Sequence, residues 1–116
     1  MTVNILGVPY EIIIGSEDDY PQLENCTGYT ETLSKKIVVQ SVEGLVGDPR
    51  CLQRIDIFQK STIRHEIIHA FLYESGLDGN SEWATNEEIV DWIALQSPKM
   101  TKAFTDAGAD TAINNG

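Results

Sequence analysis

Histidine is scarce in this chain, with two residues in 116. Basic residues are few as well: Lys+Arg is 8 against 18 Asp+Glu, which leaves a net charge of −10. A duplex-binding protein needs cations to displace counterions from phosphates, so nucleic acid is not an expected partner. Docking on an anionic membrane surface is disfavoured for the same reason. No run approaches the ~18–20 apolar residues that span a bilayer, so no membrane association is expected. The apolar N-terminal stretch holds no Lys or Arg and is interrupted by Pro9 and Glu11, so it does not read as a signal peptide. Cysteine is limited to Cys26 and Cys51, far apart and in no CxxC pair. Without a secretory signal, free thiols are expected rather than a bridge. Repeats and low-complexity tracts are absent. These absences predict a soluble, acidic, cytoplasmic protein.

What is present is ordinary globular material, 41% hydrophobic and 22% charged. A chain of this length makes one core without disulfide support. Residues 1–107 are expected to form a single domain and 108–116 a small, polar, flexible tail.

The first half reads as β-structure. Val3–Leu6 alternates, Gly7–Pro9 punctuates, and Tyr10–Ile14 is a second strand. Gly15–Pro21 is an acidic loop in which Glu17, Asp18 and Asp19 are solvated. Cys26–Thr32 and Ile37–Ser41, joined by a turn at Leu33–Lys36, read as a hairpin. The second half reads as helix. Asp48-Pro49 is a start signal. Leu52, Ile55, Phe58, Ile63, Ile67, Ile68, Phe71 and Leu72 then recur at near-helical spacing, and Gly76 is the expected stop. After a polar loop, Ser81 or Thr85 is the expected cap of a second helix carrying Ile89, Val90, Ile93 and Ala94. Pro98 is expected to end that helix or to begin another short one. Phe71, Tyr73, Trp83 and Trp92 read as packing residues, and Arg64 as a partner for Glu74 or another carboxylate.

Both histidines fall in one motif, His65-Glu66-Ile67-Ile68-His69. Positions i and i+4 share a helix face, so two imidazoles there can converge on one ion. Glu66, beside the first His, can reach a water on that ion and accept its proton, because zinc lowers the pKa of a bound water to ~7. This is the spacing of metal-assisted hydrolysis. A catalytic zinc takes three protein ligands, and no third His exists. Glu87 is the candidate third ligand. Asp91, four residues on, shares its face and can hold the outer nitrogen of a ligand His. Glu88 is the rival ligand, but its i+4 neighbour is Trp92, which cannot play that part.

With Asn86-Glu87-Glu88-Ile89-Val90-Asp91 beginning seventeen residues after His69, the chain resembles the gluzincin group of zinc metallopeptidases. There HExxH is followed by a helix bearing ExxxD or NExxxD. Glu87–Ala94, with Pro98 after it, resembles the corresponding helix of the ImmA/IrrE-type metallopeptidases, in which an Asn often stands where Asp91 stands here. HEIIHAFLYESGL followed by NEEIVDWIA is similar to small metallopeptidase-like proteins of phages and prophages, which implies a bacterial host cytoplasm. The likeness covers roughly residues 28–98. It implies an α+β, minimal zincin-like fold: a small antiparallel or mixed sheet packed on a long active-site helix, with a second ligand-bearing helix behind it. It also implies one Zn2+ per chain held by His65, His69 and Glu87, with Glu66 as general base and Asp91 as orienting carboxylate. A peptide or protein substrate would lie along Gly28, Tyr29 and Thr30 as an added strand. Gluzincins often supply a later Tyr or His for the oxyanion. Here no Tyr follows Tyr73, and the only basic residues after Glu87 are Lys99 and Lys102. That departure sustains a second expectation, a zinc-binding interaction protein without turnover. The oligomeric state is not readable from the sequence.

Overall fold

In the computed structural model, which describes residues 1–46 and 54–110, the N-terminal alternation becomes a four-stranded mixed sheet. Its strands are β1 (Thr2–Ile5), β2 (Val8–Gly15), β3 (Gly28–Glu31) and β4 (Lys36–Gln40), in the order β1-β2-β4-β3. β1 pairs antiparallel with β2, β2 parallel with β4, and β3 antiparallel with β4. The first turn lies earlier than the expected Gly7–Pro9. Leu6 and Gly7, at φ 53° and 89°, make it, as a two-residue hairpin twisted to match its strands requires. Asn4 Oδ1 accepts the Gly7 N–H at 2.6 Å. Pro9 is therefore inside β2, opposite Asn4. It is tolerated there because β2 meets β4 only from Glu11 onward. The expected β3–β4 hairpin is present, with β3 at the sheet edge.

Among the described residues three α-helices follow: the single turn α1 (Val42–Leu45), α2 (Ile55–Glu74) and α3 (Glu87–Asp106). The expected start at Asp48-Pro49, together with Cys51 and Leu52, lies outside the described residues. α2 carries apolar residues on two sides. Ile63, Ile67 and Ala70 pack on the sheet with Ile5, Tyr10, Ile12, Ile37 and Val39. Ile68 and Leu72 pack with Ala84 and Val90 of the following segment. Gly76, at φ 82°, ends the helix as expected.

The expected caps Ser81 and Thr85 do not start α3, because Glu82–Thr85 forms a 3-10 turn. Asn86 is the cap, its side chain accepting the Ile89 N–H at 2.9 Å. Nor does Pro98 end α3, which continues to Asp106. Phe71 is exposed because it continues the outer stripe of Ile57, Lys60 and Arg64. Tyr73 is likewise exposed, near the end of α2. Trp92 is also exposed, at 58%, sharing a stripe with Glu88 and Lys99 opposite the buried Val90 and Ala94. Trp83 is exposed in the 3-10 turn. Arg64 pairs with no carboxylate among the described residues; its Nε donates to the Ala94 carbonyl at 2.7 Å. Glu17, Asp18 and Asp19 are exposed as expected. No helix among the described residues is long and apolar enough to cross a membrane.

Candidate metal centre

Helical spacing places His65 and His69 one turn apart on α2, and the Asn86 cap places Glu87 and Asp91 on the first turns of α3. Packing of Ile68 and Leu72 against Val90 brings the two faces together. The Nε2 atoms of His65 and His69 lie 3.1 Å apart. Glu87 spans both, with Oε1 2.6 Å from His69 Nε2 and Oε2 3.3 Å from His65 Nε2. The three ligand-type atoms lie within 4.8 Å of one another, a group that could hold a metal ion. A tetrahedral ion with bonds near 2.05 Å would separate its ligands by roughly 3.3 Å. The 3.1 Å between the imidazole nitrogens and the 3.3 Å from His65 to Glu87 Oε2 are close to that edge length, and the 2.6 Å from His69 to Glu87 Oε1 is shorter, so the group could hold a metal ion. Glu88 lies on the outer stripe with Trp92, away from this group.

Asp91 Oδ1 is 3.3 Å from His65 Nδ1. A carboxylate only accepts, so this contact assigns the imidazole proton to Nδ1 and turns the Nε2 lone pair toward Glu87 and His69. That lone pair faces another imidazole nitrogen and a carboxylate oxygen. A cation between them, or an Nε2–H on His69 donating across the group, makes such an arrangement favourable. The structure thus brings Asp91 to the outer nitrogen of His65.

Glu66 lies beside the histidines on the side of α2 that faces β3, lining the same cleft. It is 7% exposed, one of two buried polar residues among those described. Thr30 on β3 fixes it: the hydroxyl lies 2.8 Å from Glu66 Oε1 and 3.1 Å from the Glu66 carbonyl oxygen. Burial pushes the Glu66 carboxyl above the ordinary carboxylate range. The Thr30 hydrogen bond and the two imidazoles pull the other way, and Glu87 adds to the upward push.

Gly28 brings β3 close to α2. A Cβ there would lie 2.8 Å from Thr62 Cγ2 and 3.4 Å from Glu66 Cγ. The cleft consequently has two lobes that meet at Gly28, Glu66 and Glu87. One, about 280 Å³, continues past Asn25, Cys26, Phe58 and Asp91. The other, about 330 Å³, runs along Tyr29, Thr30 and Thr32 to Asp78. The bond from Gln40 N–H to the Thr27 carbonyl at 2.9 Å marks a hydrogen-bonded pair. By alternation, Gly28 and Thr30 then point their N–H and C=O groups to the free edge of β3.

Asn86 was not expected as the helix cap, Arg64 was not expected as a tie to α3, and Thr30 was expected against substrate and not on Glu66. Asn86 was readable, since Asn before Glu-Glu is a helix-start signature. The bond from Thr30 to Glu66 and the bond from Arg64 to Ala94 were not, because each joins segments distant in sequence. Comparison with known proteins gives no match: no family model, no curated protein and no solved structure is significantly similar to this chain.

Proposed function

We propose that this protein is a zinc-dependent metallopeptidase of minimal zincin-like architecture, with His65, His69 and Glu87 as metal ligands and Glu66 as general base. The observation that carries this reading is the convergence of two imidazole nitrogens and one carboxylate beside a buried glutamate. Bound zinc would supply Lewis acidity, polarising the scissile carbonyl and acidifying a water. The chain's own residues would do the rest. Asp91 orients His65. Thr30 occupies one oxygen of Glu66 and leaves the other for a proton in transit from water to the leaving amine. Gly28 and Thr30 offer edge N–H and C=O groups to an extended peptide backbone.

The test compares wild type, His69→Ala and Glu66→Gln by elemental analysis and by hydrolysis of denatured casein. Wild type should carry about one zinc per chain and His69→Ala should lose it. Glu66→Gln should keep the metal and lose on the order of 10²–10⁴ in kcat/KM. Metal retention in Glu66→Gln with unchanged hydrolysis would overturn the assignment of Glu66. A second reading, zinc-dependent binding without turnover, is supported by the lack of Lys, Arg or a third His among the described residues that line the cleft. It would stand if zinc is present and no peptide bond is cut.

A further inference from the structure

The two helices that carry the candidate ligands are joined, outside the ligand contacts themselves, by one hydrogen bond among the described residues. Arg64 Nε donates to the Ala94 carbonyl at 2.7 Å. Its position in the fold follows from a proline. Pro98 lies inside α3 and has no N–H, so the carbonyl four residues earlier, that of Ala94, has no helical donor. Ala94 is fully buried, and a buried carbonyl without a partner is strongly disfavoured. The Ser97 hydroxyl reaches it only at 3.4 Å. A guanidinium N–H from the neighbouring helix fills the gap with a charge-assisted bond.

We propose that Arg64 is a positioning residue for the metal centre, tying α3 to α2 through the carbonyl that Pro98 leaves without a donor. The inference rests on the metal-site reading above. One end of the tie is the residue before His65, and the other lies three residues after Asp91 on the same helix. Glu87 and Asp91 are themselves mostly exposed, at 72% and 57%. Their placement over the imidazoles therefore depends on where the α3 backbone sits. Removing the tie frees that backbone to shift without altering a single ligand.

The sign of the effect separates positioning from simple electrostatics. Loss of a positive charge near the site favours a cation, so a charge effect alone would tighten zinc binding in Arg64→Ala. Loss of positioning weakens it, by about tenfold as for other groups that orient ligands. Zinc affinity is measured by competition with a chromophoric chelator on the full chain. The double variant Arg64→Ala/Pro98→Ala keeps the question answerable if the single variant folds poorly. It returns a helical N–H to the Ala94 carbonyl, so stability should recover, while zinc affinity stays low because the tie is still missing. Unchanged or tighter zinc binding in Arg64→Ala, or recovery of affinity along with stability in the double variant, would overturn the proposal. The metal-free protein gives an independent readout. The His65 Nδ1–H resonance, held by Asp91, should broaden by exchange in the double variant and stay sharp in Pro98→Ala alone. If the wild type takes up no zinc, the metal reading falls. The His65 signal then decides the role of Arg64, and equal sharpness in all variants would overturn it.

Discussion

Thr30 shows how a residue's work depends on the face it occupies. The chain's resemblance to metallopeptidases placed it against substrate, yet its hydroxyl is spent on Glu66, on both a carboxylate oxygen and the main-chain carbonyl. Thr30→Val keeps the shape and removes both bonds, leaving a buried acceptor unsatisfied. It should destabilise the fold by about 1–3 kcal/mol in urea unfolding, and Thr30→Ser should recover most of that. Glu66 itself opposes folding at neutral pH. Its folded-state pKa is raised by burial, so the native state holds the proton over a range where the unfolded chain has lost it. Stability therefore falls as pH rises from the ordinary value of 4.5 toward the folded one. Metal-free Glu66→Gln should be more stable than metal-free wild type at pH 7, with the difference vanishing in acid. Thermal unfolding at several pH values with a chelator present measures it. The residues whose placement follows from spacing alone were legible beforehand. His65 with His69 and Glu87 with Asp91 are pairs four apart on helices, and the structure puts each pair on one face. Phe71, Tyr73 and Trp92 were misread because apolarity does not say which stripe of a helix meets the core.

At the scale of elements, the hairpin was legible because turn chemistry and β-branched runs are local signals. The extent of α3 was not. Pro98 is a helix-ending signal, and it fails here because a side chain from another helix occupies the carbonyl it orphans. A similar long-range tie fixes the β3–β4 turn. Lys35, at φ 59°, sets its ammonium 2.7 Å from Glu74 Oε2, with the rings of Tyr10 and Tyr73 beneath it at 5.6 and 5.0 Å. Tyr10 donates its hydroxyl to the same oxygen at 2.7 Å. Glu74 thereby joins β2, the hairpin turn and the end of α2. The Lys35 and Tyr10 hydrogen bonds hold its carboxyl below the usual 4.5. A depressed carboxylate stabilises the fold above its unfolded value and ceases to do so as pH falls through its folded value. Glu74→Gln should accordingly melt below wild type at pH 7, and the two curves should converge as the pH falls through the lowered folded-state value.

For the whole molecule, charge is the dominant fact. The chain carries −10 overall. The titratable side chains of the two cleft lobes are His65, His69, Cys26, Tyr29 and the acids Glu66, Asp78, Glu87 and Asp91, with no Lys or Arg. A peptide with Lys or Arg near the contact point should therefore be favoured over its Asp or Glu counterpart. The preference should shrink between 50 mM and 500 mM salt, on the order of the change in Debye length from ~14 to ~4 Å. Binding of fluorescent peptides differing only in that residue, to the zinc-loaded Glu66→Gln protein, measures it. The class of fold was readable at this scale because strand signals precede helix signals along the chain. The parallel pairing of β2 with β4 was not, since it joins strands separated by the whole of β3.

The division of the candidate ligands between two helices also has a consequence in time. His65 and His69 leave the ribosome on α2, and Glu87 follows 22 residues behind His65. At about 5–20 residues per second that interval lasts roughly one to four seconds. A nascent chain in that interval has a pair of imidazoles and no carboxylate beside them. In the proposed metal site, affinity for an ion would arrive abruptly, when α3 docks, and not gradually as the chain lengthens. Metal uptake during synthesis would thus mark a single late event, the seating of α3 on α2.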